Sequence, residues 1–150
     1  MKALSGYAEW FWLMAKGWKT IENRPRSLPK SMELPARIYL HASKTKTPVD
    51  EIDFIRDTLH DLHPVWLDEF MKVDWSKYRG RIIGEATITG QMYGSMPNII
   101  IDRGSIADID SPWYFGKFGY GIAFPKLYAN PVFYPGQLGF FEIYSGGQHA

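Results

Sequence analysis

A chain of 150 residues with 45% hydrophobic and 22% charged side chains has globular proportions, and at that length one core buries far more surface than two would. A single domain over residues 1–150 is therefore expected. With no cysteine, disulfides, thiolate metal sites and cysteine nucleophiles are excluded, and a net charge of +1 supplies no overall field to attract nucleic acid.

The opening Met1-Lys2-Ala3-Leu4 carries one charge and no apolar run of signal length, and no later run reaches a membrane span. The expected setting is soluble and cytoplasmic, without a membrane partner. The near-zero net charge conceals a segregation. Between Lys16 and Lys46 eight basic residues face two acids, whereas between Asp50 and Asp74 eight acids face two bases.

In chain order, Ser5 is placed to cap a helix starting near Gly6, with Ala8, Phe11, Trp12 and Ala15 on one face and Gly17 at its end. Trp10, Leu13 and Met14 make the other face apolar too, so the helix is either wedged between layers, which residue preferences favour, or partly exposes rings to a ligand. Residues 20–24 suit a strand with Thr20, Glu22 and Arg24 on one face and Ile21 on the other. Lys19 has the wrong parity for that face and joins it only from the turn at Gly17 and Trp18. Residues 25–35, with three prolines, Arg26 and Lys30, read as a basic exposed loop.

Residues 37–43 alternate as a strand, with Ile38, Leu40 and Ala42 inward and Arg37, Tyr39, His41 and Ser43 on the polar face. Thr47-Pro48 followed by Asp50 and Glu51 marks a helix start, with a capping hydroxyl, proline in the first turn and acids near the positive end of the dipole. Val49, Ile52, Ile55, Leu59 and Leu62 supply its buried stripe, His63-Pro64 breaks it, and residues 65–71 form a second helix. Residues 48–72 thus read as a helical insertion whose acids form a solvated outer face, a surface on which a protein partner could dock. Strands follow at 81–89, 98–101, 120–124 and 138–143. Helices and strands do not alternate regularly, so the expected class is α+β, a mainly antiparallel β-barrel with flanking helices.

Lys19, Glu22 and Arg24 offer two cations and one acceptor. Cations suit phosphate and a carboxylate suits a base amino group or a sugar hydroxyl, but charge pattern alone favours a structural ion pair. Trp113, Tyr114, Phe115, Phe118 and Tyr120, interrupted by Gly116, Lys117 and Gly119, combine rings with a cation as single-strand RNA binders do. Phe118 and Tyr120 are assigned to the interior, and Trp113, Tyr114 and Lys117 to ligand contact. His41, Ser43 and Lys44 are further ligand candidates, with a hydrogen-bonded structural histidine as the competing reading of His41. His60 and His63 lack a third ligand, so no metal is assigned, and no cofactor is implied.

Three segments resemble the ASCH domain family of the PUA-like superfamily: Ala3-Leu4-Ser5 with Tyr7-Ala8, the run Gly17-Trp18-Lys19-Thr20-Ile21-Glu22-Asn23-Arg24, and Ile38 to Lys44. The middle one carries a Gly-x-Lys-x-x-Glu-x-Arg signature. Residues 81–86, 111–124 and 131–142 resemble the family's central strand, aromatic segment and closing strand. The resemblance implies a PUA-like β-barrel and a cleft between first helix and barrel, lined by Lys19, Glu22 and Arg24, that holds RNA or a nucleotide. Some relatives are amidohydrolases that deacetylate acetylated cytidine, and others ribonucleases. In the deacetylating relatives a threonine nucleophile follows the lysine by three positions, where this chain has Glu22. An enzyme here would have to use Lys19 with Glu22 as an acid–base pair, or Thr20 in a different geometry.

Overall fold

The computed structural model describes residues 1–144. It contains seven strands among those residues: β1 (Lys2–Gly6), β2 (Ile21–Arg24), β3 (Ala36–Ala42), β4 (Arg81–Ser95), β5 (Asn98–Gly104), β6 (Phe118–Phe133) and β7 (Phe140–Glu142). The helices are α1 (Ala8–Ala15), α2 (Val49–Leu62) and α3 (Pro64–Met71), with one 3-10 turn at Trp75–Lys77. The class is α+β.

The strands form one mixed, mostly antiparallel sheet in the order β2-β6-β4-β3-β1-β7. Among the described residues only β1 and β3 run parallel. Strand β4 is the spine: β6 pairs along one flank, while β3 and then β5 share the other. The expected barrel does not close. Among the described residues no ladder joins β2 at one end to β7 at the other, and an open seam is left between them.

Strand β6 is much longer than residues 120–124. Its prolines fall where the β4–β6 register shifts: Pro125 lies between the pairs Thr87–Ala123 and Glu85–Lys126, and Pro131 between Gly84–Leu127 and Ile82–Val132. A bulge needs no regular ladder donor, so proline is tolerated there.

The helix expected from Gly6 is corrected at its start. Residues 2–6 are strand β1, held between β3 and β7, and α1 begins at Ala8 with no side-chain cap. Backbone pairing on both edges outweighs one capping bond, and Ser5 becomes a strand residue. The wedge is as expected. Phe11, Trp12, Leu13 and Met14 are all buried, each contributing about 1.5–3 kcal/mol by burial. Glu9 is buried too, accepting from Thr47 Oγ1 at 2.7 Å and lying 3.5 Å from Arg79. That bond diverts Thr47 from the expected cap of α2, where Pro48 stands instead.

Of the predicted α2 stripe, Ile55 and Leu59 are buried, whereas Val49 and Leu62 are exposed. Helices α2 and α3 meet α1 and the turn after it through rings: Phe54 lies 6.2 Å from Trp10, Trp18 stacks on Trp66 at 4.6 Å, and Trp12 meets Phe70 and Trp75 edge-on or tilted. The acids of this region are exposed except Glu51, which is turned inward to accept from Trp10 Nε1 at 2.8 Å.

Candidate functional site

The signature segment begins where α1 ends. Gly17 adopts φ +79°, and the amides of Trp18 and Lys19 both donate to the Leu13 carbonyl. A left-handed residue there reverses the chain at little cost only because it is glycine. The reversal carries Lys19 beneath α1 before β2 starts, which resolves its parity: it reaches Glu22 from the turn. Lys19 is 2% exposed, donates from Nζ to the Ile21 carbonyl at 2.6 Å and to Glu22 Oε1 at 2.8 Å, and lies 5.3 Å from the Trp10 ring.

The second Glu22 oxygen accepts from Arg24, 2.9 Å from Nε and 2.7 Å from Nη2. Arg24 Nη2 also donates to the Ser5 carbonyl at 2.9 Å. One guanidinium therefore links β2 to β1 across the open seam. Its Nη1 has no partner among the described residues, and its side chain is the most accessible of the three.

Burial opposes charge on Glu22, but the attraction of Lys19 and Arg24 and their hydrogen bonds outweigh it, so its carboxyl lies below the usual range. Burial pushes the Lys19 ammonium below its ordinary value, against the pull of Glu22. Two cations around one carboxylate leave the cluster with a residual positive charge.

The seam encloses a cavity of about 490 Å³. Lys19, Glu22, Asn23 and Arg24 form one wall, Ser5 and Gly6 of β1 another, and Tyr7, Trp10 and Phe11 the helical side. Ser43, Glu51, Phe115 and residues 137–139 complete the rim. Gly6 is required here for space. A Cβ on it would lie 2.3 Å from the Phe11 ring.

No protein-family model matches the chain, and no curated protein matches it either.

Of the remaining expected ligand residues, Ser43 lines the cavity, while His41 lies directly behind Ser5. His41 is 1% exposed. Its Nδ1 is 3.0 Å from Ser5 Oγ and its Nε2 is 2.7 Å from the Tyr134 carbonyl. Burial holds its pKa below the ordinary histidine value, with the Tyr134 carbonyl opposing. Its polar strand face is buried because residues 134–141 cover it: Phe141 meets the ring edge-on at 5.7 Å, and a Cβ on Gly136 would lie 2.5 Å from Cε1.

Other expected contacts lie elsewhere. Trp113 is 3% exposed, with its indole donating to the Trp18 carbonyl at 3.1 Å. It supports Trp10 from behind at 5.9 Å and does not line the cavity. Tyr114 donates its hydroxyl toward the Gly94 and Lys117 carbonyls, away from the cavity. Lys117 and Lys44 are exposed and absent from the lining, Lys44 lying along Gly80. Thr20 donates to Asp108 at 2.9 Å in a second hollow of about 330 Å³, which Lys19 also borders. Tyr120 is in the interior as expected, and Phe118 is half-buried.

The residues that sequence reasoning missed are Ser5, Asn23, Glu51 and Phe115. Asn23 donates from Nδ2 to the Trp113 carbonyl at 2.7 Å and accepts the Phe115 amide at Oδ1 at 3.0 Å, which fixes the aromatic segment against the site. Asn23 lay inside the signature as a spacer position, and only its contacts reveal its task. Phe115 was in the aromatic run, but composition does not say which ring of a run turns outward.

Proposed function

We propose that this chain is an ASCH-type, PUA-like domain that holds a nucleotide, or one unpaired base of a single-stranded RNA, in the cavity at the seam. The observation that carries the reading is convergence: Lys19, Glu22 and Arg24 meet within hydrogen-bonding distance on the wall of one cavity that Tyr7, Trp10, Phe11 and Phe115 also line. A volume of about 490 Å³ lies within the range of small-molecule sites, which pair apolar walls with a few fixed polar groups.

The chemistry divides among the residues. Arg24, with Nη1 unengaged among the described residues, is the group for a phosphate or another anion. Phe115 is 55% exposed at the rim, where a base can stack, and Glu51 and Asn23 supply polar edges. Lys19 and Glu22 position Arg24 and set the local charge. An acid–base role for Glu22 draws little support from its geometry, because a carboxyl clasped by two cations stays ionised and has no proton to give. Thr20 is bonded outside the cavity, so hydrolysis in the cavity would need a different nucleophile.

The test is calorimetric titration with nucleoside monophosphates and short single-stranded RNA, with intrinsic tryptophan fluorescence as a second readout, since Trp10 lines the cavity. Binding that weakens with salt and falls about tenfold or more in Arg24→Ala is expected, since a charge-assisted hydrogen bond contributes about 1.5–3 kcal/mol. Affinity unchanged in Arg24→Ala, or no binding at millimolar ligand, refutes the reading.

A further inference from the structure

A serine hydroxyl becomes a nucleophile when a neighbouring base can take its proton and a third group keeps that base in the right tautomer. Ser5, on the cavity wall, and His41, buried behind it, meet those conditions. Ser5 is half-buried and lines the cavity, with Oγ 3.0 Å from His41 Nδ1. His41 Nε2 is 2.7 Å from the Tyr134 carbonyl. A carbonyl only accepts, so Nε2 carries the ring proton and Nδ1 turns its lone pair toward the Ser5 hydroxyl.

We propose that Ser5 is a nucleophile and His41 its general base in an acyl-transfer site that takes a small carboxylic ester. The ring is held for that task on several sides. Ser5 and His41 are register partners in the parallel β1–β3 pair, Phe141 meets the imidazole edge-on, and Gly136 passes so close that no side chain fits. Ser5 is itself anchored, its carbonyl accepting from Arg24 Nη2 and its amide donating to the Gly139 carbonyl. Burial keeps His41 neutral at pH 7 and therefore able to accept. Arg24, on another wall of the same cavity with Nη1 unengaged among the described residues, is the cation at hand for negative charge on a carbonyl oxygen.

The step balances. As Ser5 Oγ bonds the ester carbonyl carbon, its proton passes to His41 Nδ1. The tetrahedral intermediate then expels the alcohol, whose oxygen takes that proton. Water attacks the acyl-serine with His41 again accepting a proton, and the carboxylic acid leaves as Ser5 is restored.

The competing account is that the pair only pins β1 to β3, and two measurements separate the accounts. A fluorophosphonate probe is expected to label the wild-type chain at Ser5, read by peptide mass spectrometry, with loss of labelling in Ser5→Ala. Because the chain has no cysteine, Ser5→Cys places a single thiol beside His41. Its alkylation by iodoacetamide at pH 6 is expected to run at least tenfold faster than in Ser5→Cys/His41→Gln. A thiol with the ordinary profile, titrating near about 8.5, shows no activation and overturns the proposal. So does absence of the probe from Ser5 in the wild-type chain, a result that stands even if the double variant fails to fold. Nucleotide titration is a separate measurement, and its failure leaves the labelling result intact.

Discussion

Replacing Glu22 by glutamine keeps the shape of the side chain and removes its charge. The carboxylate now takes Lys19 on one oxygen and Arg24 on the other. An amide has one carbonyl oxygen, so one cation would face an N–H₂ donor in a region where Lys19 is 2% exposed. At a contact distance of 2.8 Å each pair is worth about 6 kcal/mol of gross Coulomb attraction at an effective dielectric of about 20. Most of that is offset by the cost of dehydrating the charges, and removing one partner from a buried pair typically costs about 3–5 kcal/mol. At about 2–4 °C per kcal/mol, Tm should fall by about 6–20 °C. Urea unfolding should show a lower midpoint at an unchanged m-value. Adding Lys19→Met should cost less in this variant than in the wild type, because the ammonium has already lost its partner. A loss below about 1 kcal/mol would place the cluster with ordinary surface ion pairs and refute the account of its burial.

Acidification should act in the same direction. The pKa values of Glu22 and His41 are both lowered on folding, so the unfolded chain binds more protons and stability rises with pH. His41 contributes fully above its unfolded value near 6.5 and Glu22 above 4.5, each contribution being lost as pH falls through the lower folded value. Urea midpoints between pH 2 and pH 8 should trace both losses, and the one at higher pH should vanish in His41→Gln. Gly136→Ala should cost about 1–3 kcal/mol by overpacking, because its Cβ would lie 2.5 Å from His41 Cε1, and it should shift the His41 resonances in NMR spectra. Asn23→Leu removes both bonds to the 113–115 backbone while leaving Arg24 in place. Nucleotide affinity should drop several-fold as Phe115 loses its anchor, and calorimetry showing no change would detach the aromatic segment from the site.

The parts of the fold that periodicity expresses were readable in the chain. Ile38, Leu40 and Ala42 alternate into the core, the apolar surround of α1 marks a wedge, and His63-Pro64 separates α2 from α3. The parts that depend on distant partners were not. Ser5 looks like a cap locally, and only β3 and β7 on either side make it a strand residue. Thr47 looks like a cap until Glu9, 38 positions away, claims its hydroxyl. In the site, the charged residues of the signature stood out by type and spacing. Asn23 and Glu51 did not, because an amide and one acid in an acidic run have ordinary compositions and unusual surroundings. Trp113 shows the converse limit: a large ring in a glycine-rich segment reads as a ligand platform, yet its indole N–H found a carbonyl partner inside.

The guanidinium bridge across the seam also bears on when the site comes into being. Its walls include residue 5, residues 19–24 and residues 137–139, so nearly the whole polypeptide must be in place before they meet. During synthesis on a ribosome, Ser5 and Arg24 emerge early, but the cover supplied by residues 134–141 emerges after every other wall of the cavity. Until then the imidazole of His41 lacks the Tyr134 carbonyl and the Phe141 ring. Ligand capture by a growing chain therefore waits for residues 134–141, and stalled chains ending before residue 134 should show none.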